Sequence, residues 1–225
     1  MITDVELASL CASVYPPSVR AGRRQGIHGI GPDRRIYTAL GFRLVRWIDT
    51  DAPDDTQVAV FRRRHAAVIA IRGTTTLWDW AANLGARFGL GSWRRRWAGV
   101  SDEIREVIEG LEDVHAVFVI GHSLGGALAY HGILDYCDTH CAELVAFGAP
   151  RAVSPRLEQA LLLSGVTARR YEVAGDPVPW IPRSRWGTYG VRHVLPCATW
   201  WPSLRNHAVS HYRAQVEALE AHSPR

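Results

Sequence analysis

HAVFVIGHSLGGALAYHGILD, residues 115–135, decides how the rest of the chain is read. Ala116 to Ile120 is a short, unbroken apolar run, the pattern of a strand buried on both faces. Gly121-His122-Ser123-Leu124-Gly125-Gly126 follows, and then a helical pattern with Leu124, Ala127, Leu128 and Leu134 as its apolar positions. Strand must become helix within about two residues, which forces Ser123 towards a strained backbone. Gly121 and Gly125 have no Cβ, so the two elements can close on each other at the turn. The combination is a nucleophile elbow: a serine hydroxyl at the carboxyl edge of a sheet, beside a helix N-terminus that favours negative charge. A glycine-rich turn with an idle serine is the plainer alternative. The flanking strand and helix argue against it.

Working outward, strands and helices alternate. Residues 3–15 are expected as an amphipathic helix with a Thr3–Glu6 capping box, and residues 20–35 as a glycine- and arginine-rich loop. Strands are expected at 42–48, 57–61 and 66–71, with Arg62-Arg63-Arg64 as a solvated hairpin end. Residues 85–100 show no clean period, and Ser101 is expected to cap a helix striped by Ile104, Val107, Ile108 and Leu111. Beyond the elbow come a strand at 143–147, a helix opened by Ser154-Pro155, a strand at 169–174, a tryptophan-rich segment at 180–206, and a last helix at 207–220. Short loops between alternating elements predict one domain over 1–225, of α/β class, with a mostly parallel central sheet and helices on both faces.

Composition excludes several functions. The formal charge is only +4, with 22 acidic residues among 26 arginines and no lysine, and no nucleic-acid-binding pattern is present. Cys11, Cys137, Cys141 and Cys197 give one loose C-x-x-x-C, a poor zinc site, so no metal and no cofactor are expected. The N-terminus has no signal-peptide pattern and no stretch is apolar enough to span a membrane, from which a cytoplasmic location is expected.

Ser123 needs a base, and the base an acid to orient it. Three aspartates follow it: Asp135 and Asp138 lie at the end of the elbow helix, whereas Asp176 stands directly after a strand, at the sheet edge where Ser123 sits. Of the later histidines, His222 is in the tail and His211 is one turn into the last helix. His207 and His193 both stay open, with His207 preferred because it opens that helix.

Several motifs resemble those of the class 3 lipases, the fungal-type triacylglycerol lipases and their bacterial relatives. Ala70-Ile71-Arg72-Gly73-Thr74 is similar to the family's oxyanion strand, and Asp79-Trp80 to its lid region. Val119 to Leu128 resembles its elbow, Phe147-Gly148-Ala149-Pro150-Arg151 the next strand end, and Gly175-Asp176-Pro177 its acid motif. Asn206-His207 with Tyr212 resembles its terminal histidine motif, which favours His207 over His193. Where the family often carries His-x-Gly-Phe, this chain has Trp97-Ala98-Gly99-Val100. The resemblance implies an α/β-hydrolase-like fold and a Ser123–Asp176–His207 triad. It also implies an oxyanion hole from the backbone of Thr74 and Leu124, and a lid at about 77–97 carrying Trp78 and Trp80. A lipid or other ester substrate and transient contact with a lipid surface are expected. Trp186, Tyr189, Trp200 and Trp201 are candidates for lining the substrate pocket.

Overall fold

The computed structural model describes residues 1–15, 31–50, 56–73, 92–182, 186–197 and 201–222. Its strands are β1 (Arg43–Asp49), β2 (Gln57–Arg63), β3 (Ala66–Ile71), β4 (Ala116–His122), β5 (Cys141–Phe147), β6 (Thr167–Val173) and β7 (Val191–Leu195). Its helices are α1 (Asp4–Ser13), α2 (Arg34–Ala39), α3 (Ser92–Glu109), α4 (Leu124–Gly132), α5 (Pro155–Ser164) and α6 (Val209–Ala221). The strands form one sheet in the order β1 to β7, the first three antiparallel and the rest parallel.

This strand order has a consequence for the helices. Each parallel strand is added on the same side of its predecessor, and right-handed crossovers then put the connecting helices on one face. The packing agrees. Trp97 and Ile104 of α3, Ala127 of α4 and Leu161 of α5 share one core with Ile69, Ile71, Val117 and Val119. Leu7 and Leu10 of α1 and Val216 of α6 share the other with Val68, Ala70, Phe118 and Ile120. Alternate residues of β3 and β4 therefore feed opposite cores, which is why both strands read as continuous apolar runs.

Three local expectations are corrected. The Thr3–Glu6 capping box is present, but α1 is buried on every side from Leu7 onward because it is wedged between the sheet and α6. Residues 34–39, at the end of the expected loop, begin a helix whose cap is Asp33, accepting from the Arg35 N–H at 3.1 Å. Arg63 is not a solvated hairpin end. Its guanidinium donates to Glu6 and to the Leu40 carbonyl and lies 4.3 Å from the Phe42 ring centre; the bond to Arg63 lowers the Glu6 pKa.

The largest correction concerns α3, which starts at Ser92, so Ser101 lies inside the helix. Trp93, Trp97, Val100, Ile104 and Ile108 form one buried stripe at spacings of three and four. The Trp97 ring covers Gly132 of α4, and its Nε1–H donates to Asp135 at 2.7 Å. Residues 92–97 of the anticipated lid are thus core helix, and the departure from the family pattern at 97–100 lies within it.

Candidate active site

The turn from β4 into α4 is as tight as the sequence demands. Ser123 has φ 59° and ψ −126°, an uncommon conformation for a residue with a side chain. Its N–H is held by the Phe147 carbonyl of β5 at 2.9 Å. A Cβ on Gly121 would stand 2.2 Å from the Gly125 carbonyl carbon, and one on Gly125 would stand 2.1 Å from the Ile71 carbonyl oxygen. Leu124 is the first residue of α4, so its N–H is among those a helix leaves without an intrahelical partner.

Asp176 follows β6 through Gly175, whose φ is 78°. Its carboxylate is buried and meets three donors. Oδ1 accepts the Val178 N–H at 2.9 Å, and Oδ2 accepts the Tyr212 hydroxyl and His207 Nδ1, each at 2.6 Å. With donors on both oxygens the buried acid is satisfied. Tyr212 also accepts the Val173 N–H at 3.1 Å. Burial, and then the charge of Asp176, raise its pKa well above the ordinary tyrosine value, so it remains a donor. With Nδ1–H committed to Asp176, His207 presents the lone pair of Nε2. Ser123 Oγ and His207 Nε2 are both buried, and neither has a hydrogen-bond partner among the described residues.

A second chain of bonds fixes the elbow to the base. Burial, and then the charge of His207, lower the His122 pKa well below 6.5, so His122 is neutral. Its Nε2–H donates to the His207 carbonyl at 2.8 Å, its Nδ1 accepts the Tyr15 hydroxyl at 3.0 Å, and Tyr15 accepts the Gly73 N–H at 2.8 Å. The end of the oxyanion-like strand, the elbow and the base are therefore tied together. Gly73 lies against the serine: a Cβ there would be 3.0 Å from Ser123 Cβ.

Ser123, Asp176, His207 and Leu124 are thus brought to one edge of the sheet. Thr74, Trp78, Trp80 and Trp200 lie outside the described residues. His193 sits within β7 with its ring stacked on Tyr171 at 4.8 Å, and Asp135 is engaged by Trp97, so both alternatives have structural partners instead. Trp186 and Tyr189 are partly buried against the core, and the Tyr189 hydroxyl donates to the Leu161 carbonyl of α5 at 3.2 Å. The sequence did not point to Tyr15 or His122 as parts of the site. His122 sits beside the nucleophile and offered a signal; Tyr15 offered none.

A family model, lipase (class 3), matches residues 88–186. The fold is similar to that of a lipase from Rhizopus microsporus var. chinensis, with 18% identity, 84% of this chain and 72% of the other covered, and a TM-score of 0.67. It is similar to a Rhizomucor miehei lipase in complex with its propeptide, with 19% identity, 92% and 75% covered, and a TM-score of 0.67. A triacylglycerol lipase whose catalytic centre is described as a serine protease triad aligns at 22% identity, with 86% and 78% covered and a TM-score of 0.64. No curated protein sequence matches the chain. The class 3 lipase model thus spans the segment that carries both Ser123 and Asp176, and the fold as a whole is similar to that of these lipases.

Proposed function

We propose that the chain hydrolyses lipid esters, acyl-glycerols first among them, with Ser123 as nucleophile, His207 as general base and Asp176 as the acid that orients it. The carrying observation is the 2.6 Å bond from His207 Nδ1 to buried Asp176, which leaves the Nε2 lone pair, like the hydroxyl of the strained Ser123, without a partner among the described residues. Ser123 Oγ attacks the ester carbonyl as its proton passes to Nε2. The negative charge that forms on the carbonyl oxygen is received by the N–H groups of Leu124 and Thr74; one such donor is typically worth about 10²–10³ in kcat. Nε2–H then protonates the departing alkoxide, leaving an acyl group on Ser123. Water repeats the relay and releases the fatty acid. Asp176 holds the tautomer and stabilises the imidazolium that each step creates.

Ser123 and His207 are 1% and 0% exposed. The same reading includes a lid carrying Trp78 and Trp80 that opens against a lipid surface. Hydrolysis of p-nitrophenyl butyrate and palmitate by the natural sequence and by Ser123→Ala tests the proposal. The substitution is expected to lower kcat by about 10⁶-fold and to abolish labelling by a fluorophosphonate. Activity retained in Ser123→Ala would overturn it.

A further inference from the structure

The face of β6 turned towards α5 carries an arrangement that the serine chemistry does not use. Arg170 of β6 lies in register with Arg192 of β7. Like charges directly opposite on neighbouring strands repel, and one carboxylate offsets both: Glu172 accepts Arg192 Nε at 2.6 Å and also binds Arg170. A third guanidinium, Arg151 from the segment after β5, lines the same pocket, and its side chain has no hydrogen-bond or ion-pair partner among the described residues. The cavity is about 150 Å³ and is also lined by Pro179, Trp180 and Thr188.

Three guanidiniums against one carboxylate leave an excess of two positive charges in a small space. Water does not dilute this excess fully, since the side chains of Arg170 and Glu172 are only 19% and 9% exposed. Burial, and then the charge of Arg192, lower the Arg170 pKa, which records the mutual repulsion. A β-sheet gains nothing from such an arrangement by itself, and a compact anion would relieve it. Planar guanidiniums match the paired oxygens of phosphate, and Thr188 supplies a hydroxyl. The volume admits a phosphate group and excludes an acyl chain.

We propose that the Arg151–Arg170–Arg192 pocket binds a phosphate group, borne either by a lipid headgroup or by free phosphate. Its wall continues into the site: Pro179-Trp180 follows Asp176 in the same loop, and the Val178 N–H is one of the donors to Asp176. A headgroup held here would lie on the side of the acid loop away from Ser123, with Trp180, 54% exposed, at the pocket mouth.

Calorimetric titration of the whole chain with inorganic phosphate, against chloride at equal ionic strength, tests the claim. Saturable binding is expected, weakened about tenfold in Arg151→Gln and further in Arg151→Glu. Because the Arg151 side chain has no partner among the described residues, both variants should melt with the natural sequence and hydrolyse p-nitrophenyl butyrate at its rate. Sedimentation with phosphatidylcholine vesicles, with and without phosphatidic acid, separates the two sources. Retention by phosphatidic acid that inorganic phosphate competes away identifies a headgroup site, and phosphate binding without that retention identifies free phosphate. No heat beyond the chloride control, or equal phosphate binding by Arg151→Glu, overturns the proposal. The assay is independent of the ester reaction, since Ser123→Ala should bind phosphate unchanged.

Discussion

Two aspartate–tyrosine pairs stand on this fold, and they are compensated differently. Asp4, at the start of α1, binds the Tyr171 hydroxyl and takes two guanidinium nitrogens of Arg169, the nearer at 2.9 Å; Arg169 also reaches Glu143 at 2.8 Å. Asp176 binds Tyr212 in the same manner, but its other partners are a backbone N–H and an imidazole, with no arginine among them. A guanidinium is permanently charged and neutralises its carboxylate in every state. An imidazole becomes charged only when it takes a proton. Asp4 therefore pins α1 to β6, whereas in the proposed reaction the field of Asp176 is left for the proton that His207 takes from Ser123.

Substitutions can break this comparison. Asp176→Asn is expected to have the largest effect, about 10⁴-fold on kcat, with folding retained; steady-state kinetics on p-nitrophenyl butyrate beside a thermal melt checks both parts. Asp4→Asn should do the converse. It is expected to cost about 1–3 kcal/mol of stability, read from urea midpoints, and to leave kcat unchanged; a fall in kcat at full folding would erase the distinction.

Finer changes sharpen it. Tyr212→Phe removes one donor from Asp176 and leaves the Val173 N–H unpaired. About tenfold in kcat and about 1–2 kcal/mol of stability are expected, separable by comparing turnover with the urea midpoint. A last change concerns pH dependence and leaves the catalytic groups untouched. Burial, and then the charge of Arg94, lower the His131 pKa to about 4, and His122 is lowered as well. Both rings stay neutral in the fold and protonate in the unfolded chain near pH 6.5, so the unfolded state binds more protons. Stability should fall as pH drops from about 6.5 towards about 4, each ring adding at most about 1.4 kcal/mol per pH unit. Urea midpoints across this range should show a shallower slope in His131→Gln.

The legibility of the site in the sequence follows from how local each signal is. Ser123 is fixed by five residues and their flanking periods, and Asp176 by standing directly after a strand. His207 needed more than its neighbours, since His193 also follows Asp176 in the chain; the partner of each ring became evident only once β6 and β7 lay side by side. The start of α3 was available in principle: Trp93 and Trp97 continue the stripe of Val100, Ile104 and Ile108, but the glycines before them and a serine with an acidic pair after them imitate a loop and a cap. The pairing of Tyr15 with His122 had no local signal, because it depends on α1 crossing the ends of β3 and β4.

That last pairing bears on the order in which the molecule comes together. The Tyr15–His122 bond closes 107 residues and the His122–His207 bond closes 85. Contacts so distant along the chain carry a large closure entropy and cannot precede the sheet that brings them near. The base is held in place by bonds that only a nearly complete fold can make. Turnover is therefore a more exacting gauge of folding than helix content. Under mild denaturant activity should vanish while most of the sheet persists, and a chain whose first helix has come loose should be well structured yet idle.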